Sequence, residues 1–212
     1  VVKIMQRPVK LFSIKNAAYI LILTAGCFCI LPVFSFTSGR MKLHSPLTTK
    51  DSADSRRAFL KVYAVLMSPR CMNCHPSGDV PLQGEDSHLH PQGVKRGPDG
   101  QGLYALKCAN CHQLKNIPGL HMPPGNPNWH LPPSNMKMVF QGKTAGQLAR
   151  QLLNRKENGN KSVKDLIKHV TSDGLVLGGW KPADGLAKPP LSHAEFAAAF
   201  NEWIKKGAIA PQ

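Results

Sequence analysis

The sequence predicts a mainly α, loop-rich fold of short helices, on three observations. Apolar residues recur at helical spacing in several short stretches, two of them opening on the N-cap residues Ser162 and Ser192. Gly and Pro, 18 of each in 212 residues, break up the intervening chain too often for long regular elements. One five-residue pattern, C-x-x-C-H, occurs twice, as Cys71-Met72-Asn73-Cys74-His75 and Cys108-Ala109-Asn110-Cys111-His112.

The elements follow in order. Lys3, Arg7, Lys10 and Lys15 form a basic start without acids, and Ala17 to Phe36 is a 20-residue, nearly unbroken apolar run. Such a run is long for a signal-peptide core and just long enough to span a bilayer. Residues 1–39 are therefore read as a signal peptide or N-terminal membrane anchor, with Cys27 as a third option, a lipidated cysteine. Each outcome exports the rest, to the periplasm or to a membrane-anchored position facing it. Residues 40–54 are polar and read as a linker. Asp54 to Ser68 is predicted helical, with Ala58, Phe59, Val62, Tyr63, Val65 and Leu66 on one face and Pro69 as the stop. Residues 76–101 lack periodicity and read as a loop, and Gly102 to Gln113 reads as a short helix entering the second pentapeptide.

A proline-rich loop follows over 116–136, then a helix from Thr144 to Leu153. Another is capped by Ser162 and carries Val163, Leu166, Ile167 and Val170 on one face. Ser192-His193-Ala194-Glu195 is a capping box for a final helix with Phe196, Phe200, Trp203 and Ile204 as its buried stripe and Gly207 as its end. The region 55–212 divides into a first segment, 55–92, and a second, 93–212, each holding one pentapeptide.

C-x-x-C-H is the attachment pattern of c-type haem. Two thiols must reach two vinyl groups on one porphyrin edge, and the next imidazole must then sit under the iron. Paired C-x-x-C motifs also hold zinc, but zinc ribbons keep the pairs about 15–20 residues apart, against 33 residues between Cys74 and Cys108. Zinc also has no use for a His after both pairs. The expected cofactors are two haem c, bound through Cys71, Cys74, Cys108 and Cys111, with His75 and His112 as proximal iron ligands. The fold class sharpens accordingly to a dihaem cytochrome c with short helices around both haems.

The opposite iron ligands set the chemistry: Met raises the potential, a second His generally lowers it, and an open position admits small molecules. The candidate distal ligands are His90, Met136 and His169. His88 and His90 lie in the loop after the first motif, placed to fold back over it. Met136 follows the stiff Leu131-Pro132-Pro133, and His169 borders the apolar face of its helix. His193, at a helix start, reads as solvent-exposed.

The chain carries 27 Lys and Arg against 12 Asp and Glu, a net +15. Setting residues 1–39 aside leaves +11. A basic surface favours an acidic redox partner and fast, salt-sensitive association. No pattern of bases interleaved with aromatics points to nucleic acid.

Phe59-x-x-x-Tyr63, Pro69 to Pro76, His90-x-x-x-Val94-x-Arg96-Gly97-Pro98-Asp99-Gly100 and Cys108-x-x-Cys111-His112-Gln113 occur in this order. They are followed by Pro123-Pro124-Gly125-x-Pro127-x-Trp129, Leu131-x-Pro133-x-x-Met136, His169-x-x-x-Asp173-x-Leu175-Val176 and Gly179-Trp180-x-Pro182. Together these resemble the bacterial dihaem cytochrome-like proteins labelled "isoquinoline 1-oxidoreductase subunit", over about residues 55–210. The resemblance implies an electron acceptor for a molybdenum hydroxylase of N-heterocycles or aldehydes, and adds weight to His90, Met136 and His169 as axial or haem-packing residues. Gln92 stands where the family often has Met, so the loop is not expected to supply a Met ligand. The chain is thus expected to transfer electrons rather than to catalyse. The alternative is a dihaem enzyme of peroxidase type with one exchangeable haem ligand.

Overall fold

The computed structural model describes residues 48–212, so the basic start, the apolar run 17–36 and Cys27 lie outside the described residues. Helix α1 spans Thr49–Leu66. It begins well before Asp54 because Thr48 and Asp51 form a reciprocal capping box: the Thr48 hydroxyl accepts from the Asp51 amide, and the Asp51 carboxylate accepts from the Thr48 amide. Residues 49–54, expected in a linker, are therefore helical. Pro69, expected only as a stop, also stands at the start of a one-turn helix, α2 (Pro69–Met72), where its missing N–H costs nothing.

Helix α3 (Ala145–Leu153) is capped by Thr144, α4 (Val163–Ser172) by Ser162 and α6 (His193–Lys205) by Ser192, each through a complete capping box. The short α5 (Gly174–Gly178), not foreseen, is capped by the Asp173 carboxylate. Helix α1 packs chiefly on α6, with α3 on α1 and α4 on α6. Phe59 meets Trp203 at 4.6 Å between ring centroids, and Phe200 meets Trp203 edge-on at 5.4 Å. Phe59, Val62, Val65, Leu148, Phe196, Phe200 and Trp203 are all buried there. Full burial contributes roughly 1.5–3 kcal/mol for each such side chain, so this cluster holds the helices together. Ser55 is the polar pin at its end: its hydroxyl donates to the Trp203 carbonyl (3.1 Å) and accepts from the Ile209 amide (2.9 Å).

Between α2 and α3 the chain is mostly loop. Two two-residue ladders interrupt it, β1 (Leu82–Gln83) with β2 (His88–Leu89), and β3 (Gly102–Leu103) with β4 (Leu106–Lys107), both antiparallel. The helix expected over Gly102 to Gln113 is thus a hairpin followed by a 3₁₀ turn, Cys108–Asn110. Gly102 at φ +93° and Tyr104 at φ +50° cannot continue an α-helix, and Leu106 is exposed rather than on a buried stripe.

Polar side chains organise the loop region. Arg96 is fully buried, and its guanidinium donates to the Pro132 carbonyl (2.6 Å) and the Gly78 carbonyl (3.1 Å). It thereby ties the loop after the first motif to the proline-rich loop after the second. Gly100, at φ +78°, lets the Leu131 backbone approach so closely that any Cβ would collide with the Leu131 carbonyl. Among the described residues no helix is long and apolar enough to cross a membrane.

Candidate functional site

Cys71 lies in α2, and backbone hydrogen bonds from Cys74 to Cys71 and from His75 to Met72 continue the turn. The two thiols, three residues apart, therefore project from one side of the turn. Burial pushes the Cys71 thiol up to about 12 and the Cys74 thiol up to about 11, so both are protonated at neutral pH. Cys108 adds a minor upward contribution at Cys74.

The His75 ring is clamped. Its Nδ1 lies 2.7 Å from the Met138 carbonyl, and its face stacks on Phe140 at 3.9 Å with the planes 10° apart. The Phe140 amide in turn donates to the His75 carbonyl at 2.9 Å. A carbonyl can only accept, so Nδ1 carries the proton and Nε2 keeps its lone pair. Burial, with a smaller contribution from neighbouring His169, pulls the imidazole down to about 4 and keeps it neutral.

The second motif repeats this device on different scaffolding. The 3₁₀ turn leads into His112, whose amide donates to the Cys108 carbonyl at 2.9 Å. His112 Nδ1 lies 2.7 Å from the Pro124 carbonyl, and the ring stacks on Trp129 at 4.1 Å with an 11° tilt. The proline-rich loop is held for this contact by bonds from the Asn126 amide to the Gln113 carbonyl and from the Gly125 amide to the Asn116 side chain. Burial lowers the His112 pKa as well. Cys108 is buried, whereas Cys111 is exposed. A cleft of about 470 Å³ opens beside His112, lined also by Leu114, Asn128, Trp129, His130 and Asp173.

The distal candidates fall in three places. His90 was expected to fold back over the first motif; the structure sets it instead against the second, its ring centroid 6.4 Å from that of His112. The hairpin β1–β2 carries it there, with the His90 amide bonded to the Pro81 carbonyl at 2.9 Å. His169, on α4, pairs its Nδ1 with the Asp173 carboxylate at 3.2 Å. Met136 sits in the turn closed by its own amide on the Pro133 carbonyl, with its side chain beside Gly159. His193 departs from its expected exposure: Nε2 donates to the Val170 carbonyl at 2.8 Å and the ring meets Trp180 edge-on. Its role is to join α6 to α4.

The clamping roles of Phe140 and Trp129 and of the Met138 and Pro124 carbonyls were not foreseen from the sequence, although Pro124 and Trp129 lie in one of its motifs. The dense prolines around Trp129 were the one available signal, because a pre-stiffened loop is suited to presenting a fixed carbonyl. The donor set fits covalent haem: two neighbouring thiols, then a neutral imidazole whose Nδ1–H is held by a carbonyl and whose Nε2 is free for a metal. No family model matches the chain, and no curated protein or solved structure is significantly similar to it.

Proposed function

We propose that this chain is an exported dihaem c-type cytochrome that transfers electrons. The proposal includes a partner, a molybdenum hydroxylase resembling isoquinoline 1-oxidoreductase, for which the chain serves as acceptor subunit. The observation that carries the reading is the duplicated ring clamp. Each C-x-x-C-H imidazole donates Nδ1–H to a backbone carbonyl at 2.7 Å, is stacked on one aromatic ring, and follows its own pair of thiols. Holding Nδ1 fixes the tautomer and the ring orientation and raises the basicity of Nε2, as it does for metal-bound histidines generally. A structural histidine needs no free nitrogen, and two such rings each next to a C-x-x-C pair need a common cause.

Haem c, when bound, supplies a one-electron iron couple. The chain's own contributions follow from its residues. Cys71 and Cys74, and Cys108 and Cys111, would hold the two groups covalently. His75 and His112 would bind iron, while Phe140 and Trp129 exclude water from one face of each ring. The basic surface would draw in an acidic partner.

The test is expression with a cytochrome c maturation system, followed by intact mass and a pyridine haemochrome spectrum. A mass gain of two haems with a c-type spectrum is the expected result, and replacing both cysteines of one motif by Ser should remove one haem. Absence of covalent haem from the wild-type protein would overturn the proposal. Rapid carbon monoxide binding by the reduced wild-type protein would replace electron transfer with the peroxidase-type reading.

A further inference from the structure

We propose that His90, delivered by the segment that holds the first motif, is the sixth ligand of the iron at the second motif, opposite His112. The inference rests on the haem reading above and adds to it a ligand, a spin state and a crossing of the two segments.

The distance fits the assignment. Two imidazoles on opposite sides of one metal, each bonded at about 2 Å, have their ring centroids about 6 Å apart. The His90 and His112 centroids are 6.4 Å apart without any other side chain being invoked. The planes are tilted by 59°, which is compatible because each axial ring is free to take its own rotation about the shared axis. The hydrogen bonds agree as well. His112 Nδ1 is committed to the Pro124 carbonyl, so its free nitrogen is the one for metal. His90 Nδ1 is buried and has no hydrogen-bond partner, although the Gln92 side chain lies close to the same ring. A buried polar atom left unpaired is unfavourable, and iron bonded at His90 Nδ1 would satisfy it.

The backbone explains how a residue of the first segment reaches the second site. The Leu82 amide donates to the Asn73 carbonyl and the Asn73 side chain to the Gly84 carbonyl, both at 3.0 Å, so β1 is fastened to the first motif itself. The register Leu82↔Leu89 and Gln83↔His88 then returns the chain, and the Pro81 carbonyl holds the His90 amide just beyond the ladder. Pro91 fixes the exit. The first motif thus supports one wall of the second site. His/His ligation gives a lower potential than His/Met, so this site would be the lower-potential partner of any His/Met site in the chain.

The experiment uses the matured protein and three variants. Intact mass is recorded first; a haem count below two in the wild-type protein counts against the cytochrome reading and not against this ligand. With two haems present, His90→Ala should turn one haem high-spin by electron paramagnetic resonance and open one carbon monoxide site per chain, with added imidazole restoring the low-spin signal. His90→Met should keep that haem low-spin, bring in the near-infrared sulfur-to-iron band and raise one midpoint potential. To identify the iron, His90→Ala is repeated in protein carrying Cys108→Ser and Cys111→Ser. Its single remaining haem should be unaffected. If His90→Ala and His90→Met both leave the spectra of the dihaem protein unchanged, or if the single-haem protein turns high-spin, the assignment is overturned.

Discussion

The two C-x-x-C-H motifs sit in different settings: Cys71 packs against the aromatic core, whereas the second motif, with Cys108 buried and Cys111 exposed, lies among loops. The motif imidazoles are held alike, by a carbonyl at 2.7 Å and a stacked ring. What differs is the source of rigidity. Around His75 it comes from α1, α2 and the buried cluster of Phe59, Phe200 and Trp203. Around His112 it comes from prolines, glycines at positive φ and side-chain bonds to backbone carbonyls. One chemical device can therefore be carried by hydrophobic packing or by loop hydrogen bonding, and the two should fail under different perturbations.

The largest effect is expected in the helical region. Trp203 is fully buried, lies 4.6 Å from Phe59, and donates Nε1–H to the Ile209 carbonyl at 3.2 Å. Trp203→Ala should cost about 3–5 kcal/mol through lost burial and the cavity left behind. Denaturant unfolding followed by circular dichroism would measure it. A loss under about 1 kcal/mol would mean that the packed cluster is not what holds the first site.

The loop region should respond to a change that leaves the helical core untouched. Gly100 combines φ +78° with the close approach of the Leu131 backbone, which itself bonds the Gly100 carbonyl at 2.9 Å. Gly100→Ala should cost about 1–3 kcal/mol, from the unfavourable φ and the displacement of Leu131. Limited proteolysis should show new cleavage between residues 97 and 135 while helical content is kept. If the helices melt together with the loop, the two regions are one cooperative unit and the contrast between them is broken.

The same division governs what was readable beforehand. Helices α3, α4 and α6 were legible because apolar spacing and capping residues agreed at Thr144, Ser162 and Ser192. The start of α1 was not, because its capping box lies in a wholly polar stretch with no apolar face to mark it. Around the second motif, Leu103 and Leu106 have helical spacing, yet Gly102 and Tyr104 adopt positive φ and the segment turns back on itself. The two motifs pointed to the thiols and imidazoles on which the proposed function rests. The destination of His90 was hidden, because a loop without periodicity carries no record of the long-range bonds, such as Leu82 to Asn73, that aim it.

A smaller effect separates the regions by pH. Asp51 joins the start of α1 to the end of α6: its carboxylate accepts from the Lys206 ammonium at 2.5 Å and from the Thr48 hydroxyl at 2.8 Å. The Lys206 hydrogen bond is the main cause that lowers Asp51 from 3.8 to about 2, with Thr48 adding to it. A carboxyl lowered by folding binds its proton less readily in the folded than in the unfolded chain. Its stabilisation is complete above the unfolded value and is lost as pH falls from there through the folded one. Asp51→Asn should therefore weaken the protein slightly at neutral pH and flatten the decline of its unfolding midpoint between about pH 4 and about pH 2. Proteolytic sensitivity of the loop between residues 97 and 135 should change little, because the strap joins only the helices. Parallel midpoint curves for wild type and Asp51→Asn across that range would show that the acid response of the helical region has another origin.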